Sequence, residues 1–282
     1  MTPPVWLQEP AACVELVARL VAVSAACSAT ESLAARRVFV DDALLGWPLL
    51  RKRSRLAGDG PVARMLGVLF GGRGVLWLHG ARLLAAVLLF GMVQADLVRS
   101  ASLFVLFVAQ CFLHLRQFGV AIIGGDRMRM LILGALTLRE LAPESALVAK
   151  AAVWFIAGQC ALAYATSGLL KWQRTLEWRN GTAVGLLLGN EFLGHTGLAA
   201  WLTAHPAMNR VATWGVLALE VLFPLALLGG TPVAVVFVAG AFLMHLGIGQ
   251  FMGLAPFLWA FLASYPAVLF ASQAVGKFLF AQ

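Results

Sequence analysis

The chain has 282 residues, 61% of them hydrophobic and 12% charged, with a formal net charge of +8. Soluble domains hold roughly 25% charged and about 45–50% apolar residues, so a soluble fold is excluded and lipid must solvate much of this surface. Long Leu, Ala, Val and Phe runs without ten-residue alternation leave helices rather than a barrel, and basic residues placed mostly between hydrophobic segments argue for positive-inside topology and against nucleic acid.

The opening MTPPVWLQEP has no basic n-region and no clear cleavage site, so a removable signal peptide is not expected. Arg36-Arg37 precede Asp41 and Asp42 instead of an apolar core, which rules out a twin-arginine signal. Residues 1–30 read as an N-terminal tilted span or interfacial helix. Within them, 11–29 are apolar except for Glu15 and Arg19, four apart in the favourable order, with Trp6 near the headgroups. Residues 31–282 read as one multi-helix membrane domain.

Residues 32–49 read as a further helix. The most basic segment follows: Arg51, Lys52, Arg53, Arg55 and Arg64 with the turn residues Gly58, Asp59, Gly60 and Pro61, expected as a cytoplasmic loop. Apolar segments then run over 80–97, 101–115, 128–139, 146–170, 182–203, 211–229, 232–250 and 254–275. A span needs roughly 20 residues, and 128–139 is short for one. The expected fold class is therefore an all-α, polytopic transmembrane helical bundle of roughly seven to nine segments. Gly181, Gly185 and Gly189, and likewise Gly249 and Gly253, recur every four residues as a smooth face for helix packing. Cys13, Cys27, Cys111 and Cys160 stand singly in apolar stretches and read as small buried hydrophobes.

Ionisable groups at bilayer depth are expensive and are functional candidates by default. Asp126 lies in IIGGDRMR, Lys171 closes YATSGLLKW, Glu191 and His195 stand four apart in GNEFLGH, Glu220 sits in LALEVLFP and His245 in AFLMHLGIGQ. Tyr164, Ser167, Gly168 and Lys171 fall at i, i+3, i+4 and i+7, one polar helix face expected to look into the bundle. A lysine held there loses hydration, which favours a neutral, basic amine able to act as a general base; the alternative is a lysine snorkelling to the interface beside Arg174 and Arg179. Glu191 with His195 reads as a hydrogen-bonded pair on one helix face rather than a metal site, since no HExxH is present. Glu220 reads equally as a site residue or as a partner for an arginine of a neighbouring helix, and His245 as either core packing or a site.

IIGGDRMRMLI at 122–132, YATSGLLKW at 164–172, WRNGTA at 178–183, LEVLFP at 219–224 and FLMHLGIGQFMGLAPF at 242–257 occur in one order. With these landmarks the chain resembles the HTTM family, the membrane domain shared by vitamin K-dependent gamma-carboxylases and bacterial relatives, over residues 30–275. The resemblance implies that the polar positions line one intramembrane cavity. It makes Lys171, with His245 and Asp126, the catalytic candidates, and Tyr164, Ser167, Gly168 and Glu220 the cofactor-binding ones. In the carboxylases the Tyr-x-x-(Ala/Ser)-Gly-x-x-Lys run supplies a lysine proposed to deprotonate reduced vitamin K, and Lys171 is the matching position. The carboxylases carry Asn-Asn-His where this chain has Gly124, Gly125 and Asp126, which puts a histidine of that chemistry in question. The chain ends at Gln282 and on this reading lacks their large extramembrane region, so glutamate carboxylation by this chain alone is not expected.

Three function classes follow. The first is an intramembrane enzyme that uses a reduced quinone, vitamin K hydroquinone-like, with Lys171 as base. The second is a non-enzymatic membrane factor for maturation or export of a secreted peptide, as implied by bacterial relatives. The third is a transporter, kept open by Gly-interrupted segments such as 119–137. Membrane lipid, a small secreted peptide or a soluble redox protein are the expected partners, and the bacterial resemblance implies the cell inner membrane.

Overall fold

The computed structural model describes residues 3–52, 60–117, 124–191 and 194–280. Arg53, Arg55, Gly58 and Asp59 of the basic segment, Ile122 and Ile123 of IIGGDRMR, and Phe192 and Leu193 of GNEFLGH lie outside the described residues. All regular structure among the described residues is helical, as lipid solvation of the backbone requires. The chain divides into two compact units, residues 15–148, and residues 1–14 with 149–282.

Most of α1 (Pro10–Ala34) belongs to the 15–148 unit, together with α2 (Gly72–Gly91), α3 (Asp96–Arg116) and α4 (Gly124–Arg139). α2 and α3 pack as a hairpin and α4 packs on α3. The expected 32–49 helix does not form. A 3₁₀ turn at Arg36–Phe39 and a short helix at Trp47–Arg51 replace it, because Asp41, Asp42 and Gly46 favour turns and Pro48 fits only a first helical turn. Arg116 fastens this connection: its Nε donates to the Phe70 carbonyl at 3.0 Å, its Nη2 to the Leu45 carbonyl at 2.6 Å, and its guanidinium lies 5.3 Å from the Phe39 ring centroid. At the opposite ends of α3 and α4, Glu140 accepts from Arg99 Nε at 3.1 Å, from Arg139 Nη1 at 2.9 Å and from Ser100.

The other unit is built from α5 (Ala146–Arg174, whose first three residues fall in the 15–148 unit), α6 (Pro206–Leu222), α7 (Gly230–Met252), α8 (Ala255–Leu262) and α9 (Tyr265–Phe280). The expected 182–203 segment is two short helices, Ala183–Leu188 and Thr196–Ala204, and 211–229 is split at Pro224 into α6 and Leu225–Leu228. α7 ends at Gly253, whose φ of +68° suits a residue without a side chain. The glycine repeat is correspondingly not one helix face. Gly181 and Gly189 terminate two different short helices, while Gly185 donates its N–H to Asn209 Oδ1 at 3.0 Å.

Among the described residues six helical segments are long and apolar enough to cross a membrane: Pro10–Ala34, Gly72–Gly91, Asp96–Arg116, Ala146–Arg174, Gly230–Met252 and Ala255–Leu279. The chain is thus a multi-pass helical membrane protein, and the described residues supply six such segments, so the expected count of seven to nine is not reached among them. Hydropathy counted apolar stretches that proline, glycine and aspartate break into pieces too short to span.

Candidate functional site

The C-terminal half of α5 presents Tyr164, Ser167, Gly168 and Lys171 on one side, and all four meet other elements of their unit as the spacing predicts. Gly168 sets the approach of α6. A Cβ there would stand 2.8 Å from Val221 Cγ2 and 2.9 Å from Glu220 Cβ, so only glycine allows the two backbones this close. The approach brings Glu220 under the lysine. Lys171 Nζ donates to Glu220 Oε1 in an ion pair, and Ser167 Oγ donates to the same oxygen at 3.3 Å. The lysine side chain keeps 27% of its exposure against 6% for the glutamate, and its ammonium lies 4.8 Å from the centroid of Trp178.

This geometry gives both charged groups a definite partner. Glu220 pairs with Lys171 and not with an arginine, because Gly168 brings this turn of α5 against it and Lys171 is the cation within reach. Lys171 is held by a carboxylate and an aromatic face, while Arg174 in the same last turn is exposed.

Tyr164, also on α5, is the hub of a second polar group. Its hydroxyl lies 2.8 Å from His245 Nε2 of α7 and 2.9 Å from the Tyr265 hydroxyl of α9. Phe223 stacks on Tyr164 with centroids 4.1 Å apart, and Phe261 of α8 stacks on His245 at 4.6 Å. Aromatic packing of this kind fixes ring orientation and excludes water around the chain of hydroxyls.

A cavity of about 560 Å³ opens between these groups, with Tyr164, Ser167, Lys171, Glu220 and His245 on its wall among residues such as Val216, Leu243, Ile248, Phe251 and Phe257. Two buried atoms of the lining residues, Glu220 Oε2 and His245 Nδ1, have no hydrogen-bond partner among the described residues. Buried polar atoms are normally satisfied, and these two are exceptions to that rule on residues of the cavity wall. An apolar wall with a few convergent polar groups is the usual form of a small-molecule site.

The remaining candidates lie elsewhere. Asp126, in the first turn of α4, accepts from Arg129 Nη1 at 2.9 Å within the 15–148 unit, and the cavity is lined without it. Glu191 and His195 do not share a helix face. Glu191 sits exposed in a turn, and His195 caps the helix Thr196–Ala204 by accepting from the Leu198 N–H at 3.1 Å. Among the described residues no three His, Cys, Asp or Glu side chains gather as a metal site.

Sequence reasoning missed Tyr265 and the aromatic ring around His245, for which an apolar segment gives no signal. It also missed His79 and Arg82 in HGAR and Gln110 and His114 in QCFLH, although the criterion applied to Lys171, polar groups inside apolar runs, would have found them. No family model, curated protein or solved structure matches the chain.

Proposed function

We propose that the cavity beside α5 binds a lipid-soluble hydroquinone-like molecule and accepts a proton from its hydroxyl group. The observation that carries this reading is the Lys171–Glu220 pair, set in an apolar wall with one carboxylate oxygen unpartnered. The resemblance of YATSGLLKW to the lysine-bearing run of the gamma-carboxylases supports the same assignment, and so does the volume, which suits a bicyclic ring. Lys171, Glu220 and His245 fit a ring hydroxyl: the carboxylate offers an acceptor and the histidine a second polar contact.

A reduced quinone, when bound, supplies an acidic hydroxyl and reducing equivalents. Glu220 Oε2 receives the proton, and Lys171, held on Oε1, keeps a positive charge beside the site as negative charge moves off the carboxylate. The base is then the pair rather than the lysine alone. Tyr164 joins His245 to Tyr265 and holds the imidazole against the cavity. Val216, Ile248 and Phe257 keep water from the reacting hydroxyl.

The test is binding of reduced naphthoquinones by the full chain in nanodiscs, and their oxidation with dioxygen supplied as the electron acceptor, with Lys171→Ala as the control. The expected result is saturable binding, with turnover lost in Lys171→Ala while the variant stays folded. Wild-type turnover in that variant would remove the assignment, and no binding across several quinols would turn the search to the peptide-maturation reading.

A further inference from the structure

A second buried polar group lies within the 15–148 unit, and the proposed quinol chemistry does not use it. Arg82 on α2 and Arg129 on α4 are 2% and 0% exposed. Arg82 Nη2 donates to Gln110 Oε1 of α3 at 3.0 Å and its Nη1 to His79 Nδ1 at 3.2 Å, with no carboxylate in contact among the described residues. Arg129 donates through Nε to Ser24 Oγ at 3.0 Å and through Nη1 to Ser28 Oγ at 3.3 Å and Asp126 Oδ1 at 2.9 Å. Arg129 and Asp126 both act electrostatically on Arg82, and exposed Glu31 acts on Arg129 only from a distance. Among the described residues, therefore, one carboxylate, that of Asp126 on Arg129, contacts the two buried guanidiniums, an excess of positive charge that is costly where water is scarce.

The unsatisfied atoms point the same way. An arginine N–H can only donate, so His79 Nδ1 is an acceptor and its proton sits on Nε2. The Gln110 oxygen faces Arg82, so its amide nitrogen, 3.5 Å from His114 Nδ1, donates and leaves the His114 proton on Nε2. His79 Nε2, His114 Nε2, Arg82 Nε and Arg129 Nη2 have no partner among the described residues. All four are donors, and they come from three helices.

We infer that the Arg82–Arg129 cluster binds a small oxoanion, with carboxylate- or phosphate-type oxygens taking up the four free donors. Donors on four side chains require more than one acceptor atom, which selects an oxoanion over a halide. The oxygens belong either to a free anion or to a phospholipid headgroup, both of which carry this chemistry.

The experiment uses the full chain in phosphatidylcholine nanodiscs, titrated with inorganic phosphate, acetate or chloride at constant ionic strength while the unfolding midpoint is followed. Native mass spectrometry of the purified protein reads retained phospholipid. Arg82→Gln tests the charge, and His114→Leu removes one donor while leaving both guanidiniums, in case the first variant does not fold. Saturable stabilisation by phosphate or acetate, weakened at least about tenfold in His114→Leu, supports a free oxoanion. Retention of an anionic phospholipid by the wild type and its loss in His114→Leu supports the headgroup. Equal effects of chloride and phosphate, equal responses of wild type and His114→Leu, or neither stabilisation nor retention overturn the inference.

Discussion

Glu220→Gln probes the Lys171–Glu220 pair with little change of shape. Glutamine keeps an oxygen for Ser167 and Lys171 but removes the counter-charge, leaving the Lys171 head in an apolar wall. Removing one partner of a fully buried pair costs about 3–5 kcal/mol. Lys171 keeps 27% of its side-chain exposure and faces Trp178 at 4.8 Å, so solvent screening and the ring recover part of that. The expected loss is ~1–3 kcal/mol. Lys171→Met is expected to cost a similar amount by stranding the carboxylate, and the double variant Lys171→Met/Glu220→Gln strands neither charge. Its loss should fall short of the sum of the single losses by ~1–2 kcal/mol. Reversible unfolding by SDS titration in mixed micelles measures all four proteins. Single losses that add to within about 0.5 kcal/mol would show that the two side chains do not interact, and the proton-accepting role built on their pairing would fall with them.

Gly168→Ala is expected to cost about 1–3 kcal/mol, because the new Cβ meets Val221 and Glu220 at 2.8–2.9 Å; an unchanged unfolding midpoint would refute the close helix contact. Tyr164→Phe removes the hydroxyl joining His245 to Tyr265 and should cost about 1–2 kcal/mol and lower quinol turnover, both read on the nanodisc protein. Glu140, outside the spanning segments, gives a pH dependence. Burial pushes its carboxyl up, but hydrogen bonds from Arg99, Ser100 and Arg139 outweigh burial and hold it below the usual carboxylate range. A depressed folded value contributes stability above the unfolded carboxylate range, and that stability is lost as pH falls through the folded value. Glu140→Gln should therefore flatten the acid limb of unfolding midpoint against pH, and an unchanged limb would exclude this role.

The helical, membrane-embedded class followed from composition alone, because no soluble core can absorb so much apolar surface. The face carrying Tyr164, Ser167, Gly168 and Lys171 also followed from local spacing, since helical periodicity fixes which residues share a side whatever packs against them. The number of spanning segments did not follow. Hydropathy averages over Pro48, Gly189 and Pro224, whereas the backbone breaks at or near each of them. The Glu191–His195 pairing failed for the same reason: the i, i+4 rule holds only inside a continuous helix, and His195 begins one.

What the sequence by itself determined is the solvent, the helix type and the polar face of α5. Each depends on residues within a few positions of one another or on the chain's average character. What only the tertiary structure decided is the partner of each polar group. Lys171 meets Glu220 across 49 positions, Tyr164 meets Tyr265 across 101, and Arg82 meets Gln110 across 28. A buried charge must find a counterpart, but the chain offers several, and the choice among them is made by which helices can approach closely enough. For Lys171 that choice rests on the missing side chain of Gly168, which brings Glu220 to it.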